Sequence, residues 1–147
     1  MRQLPPAVWL QGGTLVVQLH HVSLVAVDPE VSADFYQSVF QLQRLARPPF
    51  KIEGVWLEAG SGLQLHLTKH LAGNFRTRGV DNNDVHFAFR TDDFEGVLGR
   101  LLALGFREDA PDDDPMKILV NRSGLAGFLQ LYVMDPDRNI IEVNTAV

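Results

Sequence analysis

No cysteine occurs among the 147 residues of the chain. That excludes disulfides, thiolate metal ligands and a cysteine nucleophile, and it leaves imidazole and carboxylate as the groups able to hold a metal ion. No apolar run approaches the roughly 20 residues that a membrane-spanning helix requires, so no membrane segment is expected. An excess of positive charge is also lacking: 13 lysines and arginines stand against 18 aspartates and glutamates, a net charge of -5. Without a basic stripe to neutralise phosphates, nucleic acid is not an expected partner. The segment from Met1 to Trp9 has one arginine and a Pro5-Pro6 pair where an export signal needs a continuous apolar stretch. A cytoplasmic location is therefore expected.

What is present is a chain 46% hydrophobic and long enough to bury a core of its own. Residues 1–14, broken by Pro5, Pro6, Gly12 and Gly13, read as an N-terminal extension. From Leu15 to Val27 the composition is that of a strand. Asp28-Pro29-Glu30 then supplies an N-cap, a proline at the first helical position and an acid in the first turn. Val31, Phe35, Val39 and Leu42 recur at helical spacing as a core-facing stripe, and the helix should run to about Phe40. Beyond the Pro48-Pro49 break, Gly54 to Glu58 and Gly62 to Leu67 read as a hairpin, with a further strand placed around Leu45 to Lys51.

The polar stretch from Lys69 to Asp84 has no periodicity and reads as a linker, and a natural flap, between two halves. The second half repeats the order of the first. A strand from Val85 to Arg90 leads to a helix capped by Asp92, carrying Phe94, Val97, Leu98, Leu101 and Leu102, and stopping at Gly105. Strands follow at Met116–Asn121, Phe128–Met134 and Asn139–Val143, separated by the turn sequences Ser123-Gly124 and Asp135-Pro136-Asp137. The chain is thus an internal repeat, with modules over 15–70 and 83–147 joined by a 71–82 linker.

Side chains alternate faces along a strand. In the strand from Val85, the residues Val85, Phe87 and Phe89 share one face and His86 points the other way. Leu63, Leu65 and Leu67 leave His66 opposite them; Ile141 and Val143 leave Glu142 opposite; Val22 and Leu24 leave His21 opposite. Each of four strands thus offers one metal-competent side chain away from its own helix. A set of imidazole and carboxylate suits Zn, Ni, Fe or Mn. Asn144, Ser23 and Gln130 are candidates to orient those ligands. Trp56, Phe128, Tyr132 and Met134 are candidates to line an apolar pocket, although packing between sheets accounts for them equally well. Arg90 and Arg122 are candidates to meet an anionic group of a substrate, or are simply solvated. His20, on the helix-side face, and His70, past a strand end, are set aside.

Three segments carry a family likeness: Leu19-His20-His21-Val22-Ser23-Leu24, Asp34-Phe35-Tyr36-Gln37, and Asp135-Pro136-Asp137-Arg138-Asn139-Ile140-Ile141-Glu142. The last is the most specific. Over about residues 17 to 145 the chain resembles the vicinal oxygen chelate superfamily, which includes glyoxalase I, fosfomycin-resistance proteins, methylmalonyl-CoA epimerase, extradiol dioxygenases and bleomycin-binding proteins. The resemblance implies an α+β fold of two βαβββ modules forming a curved mixed sheet, a half-barrel or barrel, with helices outside. It also implies one divalent ion held by His21, His66, His86 and Glu142.

Glyoxalase I usually has a glutamate where this chain has His66, and that glutamate is also the proton-transfer base. The role would then fall to Glu142 or His66, and an imidazole titrates in a suitable range for it. The leading expectation is a glyoxalase I-like lyase or isomerase, akin to lactoylglutathione lyase, acting through an enediolate on a small oxygen-chelating substrate bound near Trp56, Arg90, Arg122, Gln130 and Tyr132. A fosfomycin-type thiol transferase is the next alternative, weakened because the chain ends Asn144-Thr145-Ala146-Val147 without cations beyond Glu142. An extradiol dioxygenase would be crowded by a fourth ligand at His66. A bleomycin-type binder, without catalysis, would have no use for a complete ligand set. A homodimer is expected, since strand edges offer a route to association.

Overall fold

A computed structural model describes residues 17–74 and 76–146. Expectations for residues 1–14 and for the strand's start at Leu15 lie outside the described residues. In chain order the elements are β1 (His21–Ala26), α1 (Pro29–Phe40), β2 (Gln43–Leu45), β3 (Gly54–Glu58), β4 (Gln64–Lys69), β5 (His86–Thr91), α2 (Phe94–Ala103), β6 (Leu119–Asn121), β7 (Gln130–Met134) and β8 (Ile140–Thr145). This is βαβββ twice over. Each module closes into a four-stranded mixed sheet, in the orders β1-β4-β3-β2 and β5-β8-β7-β6. In each sheet the opening strand lies parallel to the last one, and the other pairings are antiparallel. No strand pairing joins the two sheets into a barrel among the described residues.

Local chemistry sets the helix boundaries. Asp28 caps α1, its carboxylate accepting from the Glu30 and Val31 amides, and Pro29 occupies the first turn, where its missing N–H costs nothing. In α2 the cap is Asp93 rather than Asp92. The Thr91 hydroxyl accepts from the Asp93 amide and turns the chain, so that the Asp93 carboxylate reaches the Gly96 N–H at 3.2 Å. A Cβ at Gly96 would lie 2.1 Å from that carboxylate, which is why glycine stands in the first turn.

Four strands are shorter than their composition suggests: β1 is strand only from His21, β7 only from Gln130, and β2 and β6 are cut to three residues each. The strand expected around Leu45–Lys51 is instead Gln43–Leu45, because Pro48 and Pro49 cannot donate to a ladder. The one expected from Met116 pairs only from Leu119.

The stripe expected on α1 is also shifted. Val31 is 52% exposed, and the buried face is made instead by Pro29, Ser32, Ala33, Phe35, Tyr36 and Val39. Polar residues enter that face because α1 packs against the other module as well as its own sheet. Phe35 meets Phe106 at 6.0 Å between ring centroids, Phe40 meets Phe89 at 5.0 Å, and Arg100 Nε donates to the Val39 carbonyl at 2.7 Å. One apolar core consequently runs through both modules.

Between the modules sits a polar staple. Tyr36 Oη, fully buried, donates to Asp135 Oδ2 at 2.9 Å; Asp137 accepts from the Val27 amide and the Ser32 hydroxyl, both at 2.9 Å; Asn139 Nδ2 reaches the Val25 carbonyl at 3.2 Å. Asp135 Oδ1 further accepts from the Asp137 and Asn139 amides, folding the β7–β8 turn around itself. Arg138 takes the left-handed conformation (φ 64°) that this turn demands. The 71–82 segment is tied to the second module: Asn74 Nδ2 bonds the Asp137 carbonyl, Arg76 pairs with Asp84, and Val80 is buried with Tyr132, Met134 and Ile140.

Burial pushes the Asp135 carboxyl up to about 6, with help from the Asp137 charge, against the opposing pull of the Asn139 and Tyr36 donors. A carboxyl raised in this way takes up a proton in the fold before it does in the unfolded chain. Stability should therefore increase as pH falls from about 6 towards 4, by at most about 3 kcal/mol. Urea denaturation across that range is the measurement. Asp135→Asn should flatten the slope, and Tyr36→Phe should lower stability at pH 7 by about 1–2 kcal/mol by leaving a buried acceptor short of a donor.

Candidate metal and substrate site

The pairing register makes the two sheets internally equivalent. His21 in β1 corresponds to His86 in β5, and both open their modules. His66 in β4 stands opposite Ser23 and Trp56, just as Glu142 in β8 stands opposite Ala88 and Tyr132. Each module therefore presents, on one face of its sheet, a histidine on the opening strand, a second potential ligand on the closing strand, and an aromatic ring beside that second ligand.

On the second sheet the pair is made. His86 Nε2 lies 3.2 Å from Glu142 Oε2, while His86 Nδ1 lies 2.7 Å from the Asp84 carbonyl. A carbonyl only accepts, so Nδ1 carries a proton. In the neutral ring the lone pair on Nε2 then faces a carboxylate oxygen, an arrangement that a bound cation or a second proton satisfies. The other carboxylate oxygen is occupied: Glu142 Oε1 accepts from Gln130 Nε2 at 2.9 Å and from Asn144 Nδ2 at 3.0 Å. Burial pushes the Glu142 carboxyl up, but the donors Gln130, Asn144 and Tyr132, together with His86, more than offset it and hold the group below its ordinary value. Tyr132 is pushed the other way by burial and by the charge of Glu142. Arg90 Nε donates to Asn144 Oδ1 at 3.1 Å and extends the network along β8.

On the first sheet the rings are stacked. His66 lies between His21, at 4.2 Å and 13° between planes, and Trp56, at 4.1 Å and 6°. His66 Nε2 is 2.8 Å from Gln64 Oε1, which makes Nε2 the protonated nitrogen and leaves Nδ1 with a lone pair. Burial, followed by the neighbouring His21, His20 and Arg47, lowers its pKa, so His66 is neutral at physiological pH. Neutral imidazole is the form that binds metal.

All of these side chains face as the alternation predicts, but one chain does not bring the four ligands to one point. Among the described residues no group of three or more His, Asp or Glu side chains is placed to hold an ion. The donor chemistry fits a divalent metal as two half-sites, His21 with His66 and His86 with Glu142. Of the expected supports, Gln130 and Asn144 hold Glu142, whereas Ser23 is directed to Thr68 at 3.3 Å and not to a histidine. Arg122 is not brought to the site: its guanidinium binds both oxygens of Glu108, at 2.8 and 2.6 Å. Met134 is buried with Val80, Tyr132 and Ile140 and lines a mostly apolar cavity with Val31, Phe35 and Phe106, whose lining includes none of the four candidate ligands. His20, set aside above, lies 2.9 Å from His21 through their Nδ1 atoms. Gln64, which strand alternation puts on the same face as His66, is not among those expected supports, yet it stands to His66 as Asn144 does to Glu142.

Removing the Gln130 donor should let the Glu142 carboxyl titrate at higher pH. The side-chain carboxyl resonance of Gln130→Ala, followed by NMR titration against the parent protein, should show that upward displacement, and an unchanged titration would contradict the assigned network.

A model of the Glyoxalase/Bleomycin resistance protein/Dioxygenase superfamily matches residues 18–143. "Glyoxylase I 4" of Arabidopsis thaliana is 28% identical over 131 residues, covering 87% of this chain and 70% of that protein. A glyoxalase family protein from Bacillus anthracis superposes with a TM-score of 0.68 at 19% identity, over 92% of this chain and 99% of the other. Lactoylglutathione lyase from Agrobacterium tumefaciens superposes at 0.61 with 22% identity, over 90% and 96% of the two chains. At such identities the superpositions establish the fold alone.

Proposed function

The chain belongs to the Glyoxalase/Bleomycin resistance protein/Dioxygenase superfamily, and from that membership we propose that it is a divalent-metal-dependent lyase or isomerase of the glyoxalase I type. The observation that carries this reading is the placement of metal-competent side chains at equivalent positions of both modules, His21 and His66 in one, His86 and Glu142 in the other. The expected ion is Zn, Ni, Fe or Mn. When bound, it supplies a Lewis acid that polarises neighbouring oxygens of a small substrate and stabilises negative charge developing on them.

The chain's own residues supply the proton chemistry. Glu142 Oε2, with its companion oxygen fixed by Gln130 and Asn144, is held rigidly and kept ionised, and it takes a proton from the carbon beside a carbonyl. The Glu142 acid so formed returns that proton to the neighbouring carbon and regains its ionised state, and His66, neutral and with a lone pair on Nδ1, is the alternative group to take up and give back the same proton. Trp56 and Tyr132 stand beside these two bases and enclose an apolar part of the substrate. Because each chain offers half-sites, the reading includes a homodimer in which the His21–His66 half of one subunit meets the His86–Glu142 half of its partner.

The dimer gives the sharpest test. His66→Ala and Glu142→Ala proteins should each lose metal and hemithioacetal turnover, and mixing the two under subunit exchange should restore part of both, since one of the two sites in each mixed dimer is intact. No recovery on mixing would sink the shared site. Metal-replete parent protein that turns over no hemithioacetal would sink the lyase assignment, and assays of thiol addition to epoxides and of catechol cleavage then take its place. The sandwiching of His66 between two rings favours a second reading, a ligand-binding protein without a metal. Elemental analysis near zero, with no uptake of added Zn or Ni, would support that reading.

A further inference from the structure

The loop between β2 and β3 holds an arrangement that the metal half-sites do not use. Most cations in this acidic chain are paired: Arg44 with Glu30, Lys69 with Glu53, Arg76 with Asp84, Arg100 with Asp93, Lys117 with Asp112 and Arg122 with Glu108. Arg47 and Lys51 are in no ion pair among the described residues, and both line one cavity of about 380 Å³ together with Phe50, Ile52, Trp56 and His66. No carboxylate lines it.

The guanidinium of Arg47 is built into place. Its Nη2 donates to the Ile52 carbonyl at 2.6 Å and its Cζ lies 5.0 Å from the Phe50 ring centroid; a Cβ at Gly54, already barred by the Leu67 carbonyl at 2.5 Å, would also stand 3.3 Å from Nε and Nη2. Arg47 Nε is buried and has no acceptor. A buried donor without a partner costs about 1–3 kcal/mol, a cost that an arriving anion can relieve once the loop adjusts. The apolar wall is equally unsatisfied: Phe50 is 56% and Ile52 59% exposed, although Phe50 lies only 5.9 Å from Trp56. From Arg47 the rings run without a break through Phe50, Trp56 and His66 to His21.

We propose that Arg47, Lys51, Phe50 and Trp56 form a recognition subsite for a carboxylate joined to a planar apolar group, so that the substrate is an anionic, ring-bearing or conjugated molecule whose reacting end lies towards His66. The carboxylate sits between the Arg47 guanidinium and the Lys51 ammonium, two charges in the part of the site that has no acid to oppose them. The planar group lies along Phe50 and Trp56, where stacking rewards a flat ligand. This rests on the reading of the His66 face as a substrate site, but the subsite requires no metal of its own.

The test uses full-length protein stripped of metal by dialysis over chelating resin, carrying Trp9→Phe so that Trp56 is the sole indole. Benzoate, titrated at low ionic strength, should quench Trp56 fluorescence saturably. Benzamide, with the ring and no charge, and acetate, with the charge and no ring, should each bind about tenfold more weakly or worse, the effect of one charge-assisted hydrogen bond or one stacked ring. Arg47→Gln should weaken benzoate by about tenfold and Arg47→Lys by less, while Arg107→Gln, on a distant surface, leaves it unchanged.

Because Arg47 also braces the loop through Ile52, Lys51→Gln provides the variant that leaves that contact alone, and it should weaken benzoate and flatten its salt dependence. Equal binding of benzoate and benzamide, benzoate binding indifferent to both Arg47→Gln and Lys51→Gln, or the absence of saturable quenching overturns the proposal. Since the protein is metal-free, failure of metal uptake or of lyase turnover would leave this readout intact, and its own failure would leave the metal experiments standing.

Discussion

The structure depends on the buried Asp135 carboxylate. It draws donors from the β7–β8 turn and from the Tyr36 hydroxyl of the other module. With Asp137 and Asn139 reaching the start of α1 and the end of β1, three residues of one turn hold the two modules together. A charge removed from water in this way is costly unless its acceptors are filled. Filling them requires α1, β1 and the turn to be in one arrangement, which gives the module contact a specificity that apolar packing alone lacks. The rings of Phe35 and Phe40 meet Phe106 and Phe89 across the contact, within a core shared by both modules, and the polar staple sets its register.

Docking the modules through α1 and the turn has a consequence for the site. The helix sides of the two sheets face a common core, so the faces that carry His21 and His66, and His86 and Glu142, point away from it. Two pairs of candidate ligands per chain result, each with an aromatic neighbour and each held by an amide side chain, Gln64 in the first and Gln130 with Asn144 in the second. The halves are equal in position and unequal in chemistry. One stacks a histidine whose pKa burial lowers, and the other carries a carboxylate held below its ordinary value by its donors.

Much of this was legible from residue order. Asp28-Pro29-Glu30 announced α1 because capping is local chemistry, and the alternation around His66, His86 and Glu142 gave their faces because strand geometry has a period of two. The repeated βαβββ order could likewise be read from apolar runs and turn sequences. What failed did so for identifiable reasons. Val31 fits the apolar stripe of α1 but is exposed, because the second module covers a neighbouring face and recruits Tyr36 and Ser32 instead. Arg122 looked free to bind a substrate until the fold set Glu108 against it. Arg47 and Lys51 drew no notice in the chain, since nothing local distinguishes an unpaired cation from a paired one.

The amino-acid order by itself determined which groups can do chemistry: imidazole and carboxylate in place of thiolate, and one such group on each of four strands. Those properties depend on composition and on a repeat of two residues, and both survive without knowledge of long-range contacts. Tertiary structure decided which of these groups meet. The pairing of His86 with Glu142 and the stack of His21, His66 and Trp56 follow from strand pairing within each module, and the separation of the two pairs follows from how the modules dock, which is set by contacts between residues up to 114 positions apart. No local pattern encodes a contact of that range, because its energy resides in desolvation and packing that exist only once both partners are in place.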